Sequence, residues 1–161
     1  MTLFIFKKLY SFLVDLVLIS YISGRFYMKL TTKSEYTLLL LLALARKVKE
    51  TPVDLERLCK ESEVPYKYAE QLFSVLKKQN IVKGKRGPQG GYLLARPPEE
   101  ISLAEIVRLM DGPLAATDTV STHFYSKTPI NKEVKLTQVF QEIRDFVSDK
   151  LENLSIADLA K

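Results

Sequence analysis

The 161-residue sequence has a single cysteine, Cys59, and a single histidine, His123. One thiol excludes an internal disulfide framework and any multi-cysteine metal or cluster site within one chain, and it suits a reducing cytoplasm. The sequence offers few candidate nucleophiles and general bases, and it shows no arrangement that would pair a nucleophile with a base. Both observations argue against an enzyme. We therefore expect a cytoplasmic protein with no catalytic residues, no cofactor and no resident metal.

Acidic residues are scarce where basic ones accumulate. Residues 28–100 carry fourteen bases against nine acids, whereas residues 101–161 carry seven bases against nine acids. The run from Lys77 to Arg86 contains five bases and no acid. A basic cluster of this kind attracts polyanions, although a solvated helix end would look the same from charge alone.

The first 27 residues differ from the rest of the chain. The stretch 9–22 is apolar except for two serines and Asp15, and it follows two lysines. It is shorter than the roughly 20 residues that a membrane-spanning helix needs, and inserting Asp15 would cost about 3 kcal/mol. A signal peptide and a partner-binding helix are further alternatives. We favour a native start at Met28, treat 1–27 as an extension outside the fold, and expect no membrane partner.

Three helices follow, predicted over residues 33–48, 55–60 and 65–79. Thr32 and Glu35 form a capping box for the first helix, Asp54 can cap the second, and Pro65 suits the first position of the third. The spacing of the apolar residues in the second helix turns Cys59 into the core. Two short helices joined by a tight turn predict a helix-turn-helix.

The third helix has two distinct faces. Its predicted buried face holds Ala69, Leu72, Phe73 and Leu76. At 100° per residue, the side chains that point most directly away are Lys67, Gln71, Ser74 and Lys78. Glutamine pairs with adenine and lysine contacts guanine or phosphate, so this face suits a DNA groove. The alternative is an ordinary amphipathic helix with a solvated face.

A hairpin is predicted directly after the third helix. Residues 81–83 and 92–94 are typical of short strands, and residues 84–91 form a basic, turn-rich loop. Lys85 and Arg86 supply charge, and glycines such as Gly87 let the backbone approach a phosphate closely. A hairpin after a helix-turn-helix is a wing, so the sequence predicts a mainly α fold with a winged DNA-binding domain over 28–98.

The remaining chain divides into residues 99–132 and 133–161. Ser102 and Glu105 make a second capping box, which opens helix four through residue 110, and 114–132 is predicted as a loop. A long helix over 133–153 carries a broad apolar stripe. The stripe comprises Leu136, Val139, Phe140, Ile143, Phe146, Val147 and Leu151. A second copy of the chain is its simplest cover, and packing against the same chain is the alternative.

Five segments resemble signatures of one bacterial family. They are MKLTTK with the following EY (28–36), YAEQL (68–72), RGPQGGY (86–92), ISLAEI (101–106) and SIADL (155–159). Together they resemble the Rrf2 family of winged helix-turn-helix transcription regulators over residues 28–161. The resemblance begins at Met28, which agrees with a native start there.

The resemblance implies a homodimer that binds a partly palindromic operator, usually as a repressor. It places the third helix in the major groove and the wing in the neighbouring minor groove. Carried over by position, the residues at base edges are Lys67, Tyr68, Glu70, Gln71 and, in the wing, Arg86. Thr32 and Lys33 are implied phosphate contacts. Relatives often have a small polar residue in place of Lys67, so we expect a different base preference here.

One departure concerns the iron–sulfur cluster that many members of the family hold with cysteines after helix four. The loop 114–132 has no cysteine, and cluster irons need thiolates. We therefore interpret the protein as a cluster-less repressor whose partners are double-stranded DNA, a second copy, and a small-molecule effector or a protein co-regulator. The alternative function is a winged-helix protein-interaction module, tethered to a membrane by 1–27.

Overall fold

The structure is a computed structural model, and it describes residues 30–47, 51–122 and 125–161. The proposed extension over 1–27, the start at Met28 and the histidine at 123 lie outside the described residues. Within the described residues, no helix is long and apolar enough to span a membrane.

Helix α1 spans Thr32–Ala45 and forms the centre of the core. Thr31 has an extended backbone and caps the helix, because its Oγ1 accepts a hydrogen bond of 3.2 Å from the backbone N–H of Lys33. The predicted capping box was therefore wrong by one residue. Thr32 is already helical, and Glu35 lies four residues after the true cap, one too far to complete the box.

Helices α2 (Leu55–Ser62) and α3 (Tyr66–Lys78) form the helix-turn-helix. Helix α2 runs two residues beyond its predicted end and stops at Glu63, whose φ of 54° is left-handed. Asp54 is the cap residue of α2, but its side chain makes no capping hydrogen bond. Pro65 caps α3 instead of occupying its first turn, since its carbonyl accepts from Ala69 while its own backbone is extended.

Strands β1 (Val82–Lys85) and β2 (Gly91–Leu94) pair antiparallel, with Val82 opposite Leu94. Val53 bonds to the other edge of β2, because it and Tyr92 exchange backbone hydrogen bonds of 2.9 and 2.8 Å. Gly91 has a φ of 144°, and a Cβ there would lie 2.4 Å from the Val53 carbonyl oxygen. Only glycine fits where the two backbones approach this closely.

The chain after the hairpin consists of short helices and one long helix. The elements are 3₁₀ turns at Pro98–Glu100, Asp118–Val120 and Pro129–Lys132, and helices α4 (Leu103–Asp111), α5 (Val134–Glu152) and α6 (Ile156–Leu159). The segment that the sequence predicted as a plain loop thus contains two 3₁₀ turns. Ser102 caps α4 by accepting from the Glu105 N–H, but the Glu105 carboxylate bonds Arg96 at 2.6 Å. The second capping box is therefore only half formed.

The core joins α1 through α4, the base of the hairpin and α6. Phe73, Leu40, Leu41, Leu58 and Ile156 are among its fully buried side chains. Cys59 is buried as predicted, and burial, followed by the nearby carboxylates, raises the pKa of its thiol. The C-terminus returns to this core through backbone hydrogen bonds that residues 154 and 156 make with residues 103 and 101.

Candidate nucleic-acid interface

Helix α3 presents the two faces that its sequence predicts. Its inner side chains, Ala69, Leu72, Phe73 and Leu76, are all buried. Lys67, Gln71, Ser74 and Lys78 are exposed, and so is Glu70. The outer face therefore offers amide, hydroxyl, carboxylate and ammonium groups to any ligand that lies along the helix.

Two tyrosines lie on α3, and their rings differ in exposure. Tyr68 is half-buried, and its ring meets that of Tyr36 on α1 edge to face, with centroids 5.7 Å apart. Tyr66 instead is 45% exposed at the start of the helix. The charge of Glu70, four residues on, raises the pKa of its phenol. Sequence reasoning overlooked Tyr66, although its spacing from Glu70 places both on one side of the helix.

The wing exposes Lys83, Lys85, Arg86 and Gly87. Gly87 has a φ of 114°, and its carbonyl accepts a 2.8 Å hydrogen bond from Gly90. A Cβ at Gly90 would lie 2.5 Å from the Lys85 carbonyl oxygen. The turn is therefore tight, and its backbone is not screened by side chains at these two glycines.

Two contacts join the wing to α3. The rings of Phe73 and Tyr92 meet edge to face with centroids 4.7 Å apart. The backbone N–H of Ile81 also donates to the Leu76 carbonyl, at 2.9 Å. Both contacts are buried or half-buried, so the outer face of α3 and the wing form one surface. We name it the α3–wing surface, and it comprises the exposed residues of 66–78 and 83–89.

The charge of the α3–wing surface is strongly positive. Its bases are Lys67, Lys77, Lys78, Lys83, Lys85 and Arg86, and its only acid is Glu70. Within the described part of the chain, no salt bridge joins any of these bases to a carboxylate. Unpaired bases on one face produce a positive potential that attracts a polyanion.

The start of α1 carries the other two predicted DNA contacts, Thr32 and Lys33, and both are exposed. The preceding Thr31 is bonded to Asp111 at the end of α4: its backbone N–H donates to Oδ2 at 2.9 Å, and its hydroxyl donates to Oδ1. The first turn of α1 is thereby fixed by a residue 80 positions away in the sequence.

Helix α5 has no buried residue in the described chain. Along the predicted dimer stripe, Leu136, Val139, Ile143 and Phe146 are exposed, with Phe146 at 74%. Phe140, Val147 and Leu151 are half-buried. Packing against the same chain therefore covers this helix only in part, and a large apolar area is open to a partner.

The residues after α4 do not fit an iron–sulfur cluster. Cluster irons need thiolate ligands, and the chain's one thiol, Cys59, is buried within α2. No group of three or more His, Cys, Asp or Glu side chains in the described residues could hold a metal ion.

Comparison with known proteins adds a family to this geometry. The family model of Rrf2, described as an iron-dependent transcriptional regulator, matches residues 30–161. The HTH-type transcriptional regulator CymR of Bacillus subtilis is 32% identical over 133 residues, covering 83% of this chain and 90% of CymR. The regulator IscR of Cereibacter sphaeroides is 40% identical over 94 residues, covering 57% of this chain and 61% of IscR.

Solved structures agree with the sequence matches. The structure of CymR, the global cysteine regulator of B. subtilis, superposes with a TM-score of 0.67 at 30% identity, covering 83% of this chain and 97% of that one. The IscR of T. potens superposes with a TM-score of 0.63 at 29% identity, covering 82% of this chain and 85% of that one. These similarities confirm the predicted fold, a mainly helical winged helix-turn-helix followed by a long C-terminal helix.

Proposed function

Because this chain belongs to the Rrf2 family of DNA-binding transcription regulators, we propose that it is a homodimeric repressor that acts on a partly palindromic operator. The observation that supports this most directly is the α3–wing surface. Its six bases have no carboxylate partner in the described residues. As a regulator of transcription it acts on DNA, and we place it in the cytoplasm.

The proposed contacts divide into base readers and phosphate contacts. Lys67, Glu70 and Gln71 lie on the exposed side of α3 and are the proposed base readers, with Tyr66 beside them. Tyr68 stays a predicted contact, but its half-buried ring leaves less of it for DNA. We propose that exposed polar and basic side chains contact the phosphates that border the major groove. These side chains are Ser74, Lys78, Thr32 and Lys33.

The wing is proposed to lie in the adjacent minor groove. Arg86 would enter the groove. Lys85 and the backbone of Gly87 would contact the phosphates that flank the groove. Arginine is well suited there because the negative potential of a narrow minor groove attracts it. The unscreened turn at Gly87 lets the wing approach the DNA closely.

The stripe on α5 is proposed as the dimer interface. Its exposed side chains form a row that a symmetric partner would cover with the same row, and a large uncovered apolar area otherwise favours aggregation. Two copies would place two α3 helices on half-sites about one helical turn apart. We accordingly propose the division into a DNA-binding unit over 28–98, a connecting segment over 99–132 and a dimerisation unit over 133–161.

Control is proposed to act without an iron–sulfur cluster, although the family is described as iron-dependent. The donor set of this chain gives the reason, since two copies would supply only two thiols, each buried in a separate α2. A small molecule or a protein co-regulator would then supply the signal. It must bind the DNA-competent and DNA-incompetent geometries with different affinity.

The test is selection of bound fragments from the source genome by the purified protein, followed by salt titration of the selected operator. Affinity should fall with salt at a log–log slope of about −0.9 per neutralised phosphate. Reconstitution with iron and sulfide under strict anaerobic conditions tests the cluster. We expect the protein to stay colourless and its operator affinity to stay unchanged. The cluster-less proposal would be contradicted if the protein bound stoichiometric iron and sulfide and needed them to bind DNA.

A further inference from the structure

Asp111 makes a polar contact with the start of α1, to a residue 80 positions away in the sequence. It is the last residue of α4, and it accepts hydrogen bonds from both the backbone N–H and the hydroxyl of Thr31. Thr31 caps α1, and its hydroxyl oxygen in turn accepts from the N–H of Lys33. A chain of hydrogen bonds therefore runs from the end of α4 to the first exposed lysine of α1.

The carboxylate of Asp111 is well suited to hold this turn. Partial burial acts to raise its pKa, but the hydrogen bonds from Thr31 and the charge of Lys33 together lower it. Asp111 is therefore ionised at neutral pH. Hydrogen bonds to a charged acceptor are about twice as strong as neutral ones, and a negative charge near a helix N-terminus is also favourable.

Helix α4 is bonded to the dimerisation helix three residues before Asp111. Arg108 pairs with Glu152 on α5, and its Nη2 donates to the Ser148 hydroxyl at 3.2 Å. Immediately after Asp111, Gly112 turns the chain with a φ of 92° into the segment that leads to α5. A shift of α5 would therefore reach Asp111 through a single helix of nine residues.

We propose that Asp111 is a positioning residue for DNA binding, which fixes the first turn of α1 so that Lys33 reaches a backbone phosphate and which links that contact to the position of α4. The proposal rests on the DNA-binding function proposed above. Direct contact of Asp111 with DNA is not part of it, because a carboxylate repels phosphate and both of its oxygens already accept hydrogen bonds from Thr31.

Asp111→Asn separates this role from a simple effect of charge. The substitution removes a negative charge, so electrostatics alone predicts tighter DNA binding. Positioning predicts the opposite, because one of the two accepting oxygens becomes an NH₂ group that cannot accept, and the charge that strengthens both hydrogen bonds from Thr31 is lost. The matched control is Glu100→Gln, which removes one exposed negative charge that lies outside the first turn of α1.

The measurement is operator affinity across a salt series for the parent, D111N, K33Q, the double variant and E100Q. We expect D111N to bind about tenfold more weakly on operator and on unrelated duplex alike, with a salt slope smaller by about 0.9. K33Q should lose the same slope, and D111N should add nothing in the K33Q background. E100Q should bind like the parent or slightly tighter.

Two results would overturn the positioning role. One is D111N binding as tightly as E100Q, and the other is a full additional loss from D111N in the K33Q background. If D111N does not fold, Thr31→Val and Thr31→Ser repeat the test, since only the serine keeps the hydroxyl that bonds Asp111. A parent protein that binds duplex DNA without salt dependence would instead refute the proposed function, whatever D111N does.

Discussion

Basic side chains have different partners on the α3–wing surface and in the α4–α5 region, which we define as residues 103–152. On the α3–wing surface, Arg86 and five lysines have no carboxylate partner in the described residues. In the α4–α5 region, Arg108 pairs with Glu152 and Arg144 pairs with Asp145. Similar side chains thus produce an external potential in one place and a fixed internal geometry in the other.

The paired arginines and the unpaired bases act on different partners, one within the chain and one outside it. Exposed ion pairs contribute only about 0–1 kcal/mol to stability, so the arginines near α5 act mainly by orienting helices. Arg144 also donates to the Val120 carbonyl at 2.6 Å, which ties α5 to the segment after α4. The bases of the α3–wing surface form no ion pair within the described residues, and a bound polyanion gives them a partner.

The largest loss of operator affinity should come from a change in the apolar stripe of α5. Phe146→Asp places a charge on both sides of the proposed dimer interface, where an unpaired charge is costly to bury. Because Phe146 is 74% exposed in the single chain, the monomer should still fold. We expect sedimentation to show monomers and operator affinity to fall at least about a hundredfold, whereas Phe146→Leu should remain dimeric. A dimeric Phe146→Asp variant would place the interface elsewhere.

The next effect should come from the unpaired charge of the wing. Arg86→Ala should weaken operator binding and reduce the salt slope by about 0.9, because one positive charge that would displace counterions from the minor groove is lost. The matched control is Lys60→Ala, since Lys60 is also an exposed base but pairs with Glu56 at 3.0 Å. If the two variants change the salt slope equally, the paired and unpaired bases are not functionally distinct.

A base reader on α3 should have an effect that depends on sequence. Gln71→Ala should cost about 1–3 kcal/mol on the operator and relax the preference at one position. Binding of the same variant to unrelated duplex should hardly change, since Gln71 carries no charge. Competition among operators with single substitutions measures both quantities. A loss that is equal at every position would make Gln71 a backbone contact.

The smallest effect should come from a paired arginine outside the DNA surface. Glu105→Gln weakens the ion pair with Arg96, whose Nη2 lies 2.6 Å from the Glu105 carboxylate. We expect a change of about 1 kcal/mol or less in the free energy of unfolding and an unchanged salt slope for DNA. Chemical denaturation and gel shifts measure the two. A changed slope would bring this pair into the DNA interface.

Regular periodicity explains which parts of the structure could be predicted from the sequence. The buried and exposed faces of α3 follow from residues three and four apart, and the hairpin follows from its glycines and basic turn. The cap of α1 was misplaced because Thr31 and Thr32 are both good capping residues, and only the backbone of Thr31 is extended. Local spacing alone does not separate two such neighbours.

Contacts between distant segments account for most of what the sequence could not predict. The bond between Thr31 and Asp111 joins residues 80 positions apart, and no local pattern marks either as a partner. Tyr68 stays a predicted DNA contact, but the sequence did not show that its ring also packs against Tyr36 on α1. The Glu105 carboxylate was expected to complete the capping box with Ser102, but it bonds Arg96, nine residues upstream. In each case tertiary packing decided between local alternatives.

The bridge from Val53 to Tyr92 also bears on how the protein avoids self-association through its sheet. A two-stranded hairpin has two open edges, each able to recruit a foreign strand. Here Val53 occupies the outer edge of β2, and the remaining edge belongs to β1, where Lys83 and Lys85 are exposed. Lysines on an edge strand discourage strand addition. These two lysines of the α3–wing surface thus also act as gatekeepers against aggregation, so neutralising both should shorten the shelf life of the DNA-free protein as well as weaken its binding to DNA.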